Sequence, residues 1–72
     1  MYNNDDIQDM ITKAKKDMDS FYKAIDSYGI SNSDKNAIKS VINSGWYEDF
    51  DRYDSAVCEH FIRIYENWRH KQ

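Results

Sequence analysis

The chain has 72 residues and a formal charge of −3, from 13 acidic against 10 basic side chains. A chain this short buries only about 60% of the surface its unfolded form exposes, so it is read as one small domain, residues 1–72, with no separate linker. The single cysteine, Cys58, excludes an internal disulfide and fits a reducing, cytoplasmic setting, while a pI near 5.1 argues against a dedicated nucleic-acid binder.

The opening MYNNDDIQDM carries Asp5, Asp6 and Asp9 and no apolar run, so neither a signal peptide nor a membrane anchor is expected there. From it grows the first predicted helix, about residues 5–28. Ile7, Ile11, Ala14, Met18, Phe21, Ile25 and Tyr28 recur at spacings of four and three, and with Met10 and Tyr22 they fall within roughly 120° of a helical wheel. The three aspartates lie where the helix dipole favours negative charge. Asp9–Lys13 and Asp19–Lys23 are acid-before-base pairs, each worth about 0.2–0.5 kcal/mol. Gly29, one of two glycines in a chain without proline, is expected to close this helix in a left-handed conformation. A helix of that length spans about 36 Å.

The second predicted helix is shorter, about residues 33–44. Ser31 or Ser33 is the N-cap, Ser31 with Asp34 resembling a capping box. Ala37, Ile38, Val41 and Ile42 make its apolar face, and Gly45 ends it.

The third predicted helix covers about residues 47–70. Trp46, Phe50, Tyr53, Val57, Phe61, Ile64 and Trp68 form a stripe repeating every three or four residues, expected to be core packed on the first helix. Its start has two candidates, after a Ser44 cap or after an Asp51 cap. Arg69, His70 and Lys71 lie at the end the dipole reserves for cations. The fold expected is therefore all-α, a small three-helix bundle, completed by homo-oligomerisation if the heptad-like stripe of the first helix is shared between copies.

A second apolar face adjoins the main stripe of the third helix: Tyr47, Cys58, Ile62 and Tyr65, with Asp51 and Asp54 beside it. The two faces together span roughly 200°, against little more than 100° for a one-sided surface helix. Such an arc belongs to a central bundle helix or to one that buries a face in another chain. Within GWYEDFDRYD, residues 45–54, four acids stand against one arginine, a local charge of −3 equal to that of the whole chain. Acids interleaved with aromatics suit a basic partner, charge speeding the encounter and buried rings supplying affinity. Tyr47, Glu48, Asp51, Asp54, Ile62 and Tyr65 are the partner-binding residues expected. The competing explanation needs no partner: acids also collect at helix starts.

No chemistry is predicted: no catalytic residue, no cofactor and no metal. DFDRYD places carboxylates like the start of a calcium loop, but the sixth and twelfth positions hold Asp54 and His60 where glycine and glutamate are needed. Cys58 and His60, two apart on a helix, point about 200° from each other, which defeats both a zinc site and a nucleophile–base pair. Residues 38–65, a helix, a glycine joint with SGWYEDFDRYD and a second helix, resemble the helical half of ribbon-helix-helix repressors. That resemblance implies a dimeric DNA-binding transcriptional regulator, and helix-turn-helix is a related alternative. Yet the family's reading strand should precede, and YGISNSD is a capped turn without alternating basic residues. A helix opening on four acids would also be repelled by phosphate. The function expected is a small acidic cytoplasmic module that binds and inhibits a nucleic-acid-handling or otherwise basic-surfaced protein, of the kind phages and mobile elements carry. It is expected to act without catalysis, without a membrane and without direct nucleic-acid contact.

Overall fold

The computed structural model describes residues 2–53 and 55–71, without the side chain of residue 51. Among them the chain is all-helical, with four α-helices: α1 (Asn4–Lys15), α2 (Met18–Ser27), α3 (Asn32–Ser44) and α4 (Ser55–His70). A 3₁₀ segment, Tyr47–Arg52, lies between α3 and α4. No described helix is long and apolar enough to cross a membrane.

Helix α1 starts in a reciprocal cap. Asn3 Oδ1 accepts from the Asp6 N–H at 2.9 Å, and Asp6 Oδ2 accepts from the Asn3 N–H at 3.2 Å, so two donors that a helix start orphans are satisfied at once. Asp9 pairs with Lys13 at 2.9 Å. The single helix expected over residues 5–28 is broken at Lys16–Asp17. Lys16 still has helical angles, but Asp17 leaves the helical region at φ −138°, ψ 61°, and the Asp17 N–H turns back to the Ala14 carbonyl at 3.1 Å. No glycine or proline stands there, so packing is the cause. A straight helix would run about 36 Å, whereas the Cα frame extends only 26 Å along its longest axis. The bend folds Phe21 and Ile25 back into the centre, where both are fully buried.

A second correction concerns the glycines. Helix α2 ends at an extended Tyr28 (ψ 143°), and Gly45 is the only described residue with positive φ, so Gly29 does not make the left-handed cap expected of it. Gly45 does, at φ 74°, ψ 17°, its N–H bonding the Val41 carbonyl at 2.9 Å. Helix α3 follows the sequence closely: Ser31 Oγ accepts from the Asp34 N–H, and Ala37, Ile38, Val41 and Ile42 are buried. It is tied to α2 by the Tyr22 hydroxyl donating to the Lys39 carbonyl at 3.1 Å, and by a Lys39–Asp26 ion pair.

The third expected helix also divides. Residues 47–52 wind as 3₁₀, Tyr53 is extended, and α4 starts at Ser55, later than either cap candidate allows. Winding decides which rings face inward. At three residues per turn, positions 47 and 50 eclipse; Phe50 is 5% exposed and Tyr47 packs beside it, ring centroids 6.3 Å apart. Trp46 and Tyr53, expected in the core by α-helical spacing, are turned out and stand 57% and 39% exposed.

The core closes around Phe21. Its ring meets Phe61, Tyr65 and Trp68 at centroid distances of 5.9, 6.4 and 5.2 Å, and Phe61 meets Phe50 at 5.4 Å. Trp68 satisfies its indole N–H on Ser20 Oγ at 2.9 Å, as a buried tryptophan normally must. The wide apolar arc of α4 is thus largely intramolecular: Val57, Phe61, Ile64, Tyr65 and Trp68 are buried, and Cys58 and Ile62 pack partly against them. Helices α2 and α3 both pack on α4, while α1 packs on α2 and α3 and holds the 3₁₀ segment.

Candidate interaction surface

The most unusual local feature is the joint at residues 45–47. Left-handed Gly45 reverses the chain out of α3, and Trp46 follows in extended backbone, φ −131°, ψ 123°. An isolated extended residue leaves backbone polar groups to satisfy, and here one side chain serves both neighbours. Gln8, from the second turn of α1, donates from Nε2 to the Gly45 carbonyl at 2.6 Å. Its Oε1 accepts the Tyr47 N–H, also at 2.6 Å. A planar primary amide offers a donor and an acceptor side by side, so it clasps the backbone on either side of Trp46 as a neighbouring strand would. Ser44 Oγ adds an acceptor for the Trp46 N–H at 3.3 Å.

The clasp holds the backbone while the indole of Trp46 stands in solvent. Beside it runs a shallow groove of about 320 Å³ lined by Asn4, Asp5, Gln8, Trp46, Tyr47 and Glu48. Asp5 and Glu48 are both exposed there. Lys15 reaches across Gly45 from the end of α1, its Nζ 2.9 Å from where a Cβ on that glycine would stand. The groove therefore offers an indole, two carboxylates and amide groups. Such a set is chemically complementary to a cationic, partly apolar surface.

The six residues expected to bind a partner do not form one surface. Tyr47 and Glu48 meet at the groove, Tyr47 half-buried and Glu48 exposed. Ile62 is half-buried against the core. Tyr65 is only 3% exposed; its ring is taken up by Phe21, Phe61 and Trp68, so it belongs to the core and not to this surface. Asp54 and the side chain of Asp51 lie outside the described residues. Trp46 and Gln8, outside the expected set, stand beside Tyr47 and Glu48 in the groove. Gly45 directly before an aromatic was the signal available for Trp46; nothing local signals Gln8, whose partners are 37 and 39 residues away.

The two residues considered for nucleophilic chemistry lie elsewhere on α4. Cys58 is half-buried, and burial first, then the Glu59 carboxylate, pushes its thiol pKa up, which keeps it a thiol and not the reactive thiolate. His60 is half-buried, its Nε2 3.9 Å from Asp34 Oδ2 and its ring edge-on to Tyr28. No protein family, curated protein or solved structure matches the chain.

Proposed function

We propose that this chain is a binding module that presents Trp46 to a basic-surfaced protein partner and modulates it by occupying that surface, inhibition of a nucleic-acid-handling protein being the form expected. The observation that supports this most is the exposed indole on a backbone clasped by Gln8. A large apolar side chain left in water is ordinary by itself. One whose flanking backbone is held by two hydrogen bonds from a distant helix is preorganised, which lowers the ordering cost of binding. Asp5 and Glu48 in the same groove supply the charge a basic partner would meet.

The size of the effect can be worked out. A tryptophan offers about 250 Å², so 57% exposure leaves roughly 140 Å² to bury, about 3.5 kcal/mol at 25 cal/mol per Å². That matches a hot-spot residue, for which truncation costs about 2 kcal/mol or more. One copy suffices for this reading, because the apolar stripe of α1 and α2 is engaged within the chain.

The test is comparative capture from lysate of the source cells, using wild type, Trp46→Ala and the doubly charge-reversed Asp5→Lys/Glu48→Lys. The proposal expects a protein retained by wild type and lost by both variants, with retention falling as salt is raised. Capture of the same proteins by all three would overturn it. Salt-sensitive binding of the purified chain to duplex DNA would replace it with the regulator alternative.

A further inference from the structure

A second groove, between α2 and α4, has a different character. It encloses about 620 Å³ and is lined by Lys23, Ser27, Tyr28, Asn67, Trp68 and Lys71, among others. Among the described residues no side-chain carboxylate lines it, in a chain with 13 acids against 10 bases. Neither lysine has an ion-pair partner among the described residues: Asp9–Lys13 forms on α1, but the equivalent Asp19–Lys23 pair does not form on α2. A shallower depression of about 270 Å³ adjoins it through the shared Tyr28 and Asn67, and adds Arg63 together with Glu66.

We propose that the α2–α4 groove binds the phosphate group of a small phosphate ester, held between Lys23 and Lys71. An ammonium group is a compact point charge suited to phosphate oxygens. Two of them line one concavity, where the Tyr28 hydroxyl and the Asn67 amide can donate to the same anion, while the Ser27 hydroxyl is engaged on the Ala24 carbonyl at 3.0 Å. The floor is rigid, because Trp68 is tethered through its indole N–H to Ser20 and stacked edge-on against Phe21. The volume lies within the range of small-molecule sites, about 300–1,000 Å³, enough for a sugar phosphate or mononucleotide. The negative charge of the whole chain is no obstacle at physiological salt, where charges beyond about 8 Å are screened.

The experiment is a ¹H–¹⁵N NMR titration of the intact chain with AMP, ribose 5-phosphate, inorganic phosphate and, as the uncharged counterpart, adenosine. The proposal expects saturable shifts at the Trp68 indole N–H and the Ser27 and Asn67 amides with AMP or ribose 5-phosphate, and none with adenosine. Inorganic phosphate moving the same signals would support the phosphate assignment without the ester's organic part. Lys23→Gln/Lys71→Gln should weaken binding at least about tenfold, the effect of losing roughly one charge-assisted bond, with an unchanged melting temperature; Lys23→Arg should retain it. Overturning results are the absence of saturation by any phosphate-bearing probe up to about 10 mM, a millimolar ceiling corresponding to very weak binding, equal affinity of the double variant, or equal binding of adenosine. A double variant that fails to fold leaves Lys71→Gln alone to carry the comparison.

Discussion

Replacing Gln8 by alanine removes both bonds of the clasp in one step. The Gly45 carbonyl and the Tyr47 N–H lose partners 2.6 Å away, in a part-buried setting where water replaces them only incompletely. At about 0.5–1.5 kcal/mol for each hydrogen bond, the loss is about 2 kcal/mol. With about 2.1 cal/mol/K of unfolding entropy per residue and 72 residues, that is a fall of roughly 13 °C in melting temperature. Thermal melts by circular dichroism measure it. Thr12→Ala is the control: it deletes an exposed bond within α1 itself and should move stability by no more than about 0.5 kcal/mol. Gln8→Glu sharpens the test, because it keeps the acceptor for Tyr47 but sets a carboxylate oxygen against the Gly45 carbonyl. Repulsion raises the folded-state pKa of that carboxyl, so the variant should be closest to wild type in acid and lose stability as pH rises through the raised value. A Gln8→Ala variant melting within about 2 °C of wild type, well under the effect of one hydrogen bond, would refute the clasp.

Other perturbations separate the parts of the fold. Gly29 has open space where a Cβ would stand and no positive φ, so Gly29→Ala should raise stability by about 0.4–1 kcal/mol. Gly45→Ala should lower it by about 1–2 kcal/mol through its left-handed backbone, since the Lys15 tip beside it can move; urea titrations that rank the two in the opposite order would contradict this account of the joints. Phe21→Ala should cost about 3–5 kcal/mol, at least about a quarter of the roughly 4–11 kcal/mol available to a chain of this length, and a native-like Trp68 signal in that variant would disprove its central place. Cys58 should react with iodoacetamide at neutral pH much more slowly than in urea, because its thiol pKa is raised by burial and then by Glu59. By the same shift, its contribution to stability is complete below the usual cysteine pKa and declines as pH rises through the raised value. Cys58→Ser should flatten that alkaline decline, and equal labelling rates in the two states would show the raised pKa to be absent.

Legibility in the sequence followed the range of the interactions responsible. Helix α3 was readable because its signals are local: a serine cap, an apolar face at α-helical spacing and a glycine that does take positive φ. The stripe of α4 from Val57 to Trp68 was readable for the same reason. The Lys16–Asp17 break was not, since Ala14, Met18 and Phe21 keep helical spacing across it and both sides face one core; only the size of the packed molecule demands the bend. Trp46 and Tyr53 were misplaced because the backbone is extended at both, on either side of the 3₁₀ segment, so α-helical spacing does not carry through them. Tyr65 was misplaced by width, as the three rings around Phe21, those of Phe61, Tyr65 and Trp68, need two adjacent faces of α4. Tyr47 and Glu48 do lie side by side at the groove, but Gln8, the α1 residue that holds the backbone there, is identified only by contacts 37 and 39 residues away.

Partner binding at the clasped, exposed Trp46 is the proposal on which the functional reading rests. Its most direct test is an equilibrium titration of the purified chain against the protein it captures, comparing wild type with Trp46→Ala. An indole with about 2–3.5 kcal/mol to contribute predicts affinity weaker by roughly 30- to 300-fold in the variant, with the fold intact by circular dichroism. An affinity within about twofold of wild type, less than 0.5 kcal/mol, would place the binding surface elsewhere on the molecule.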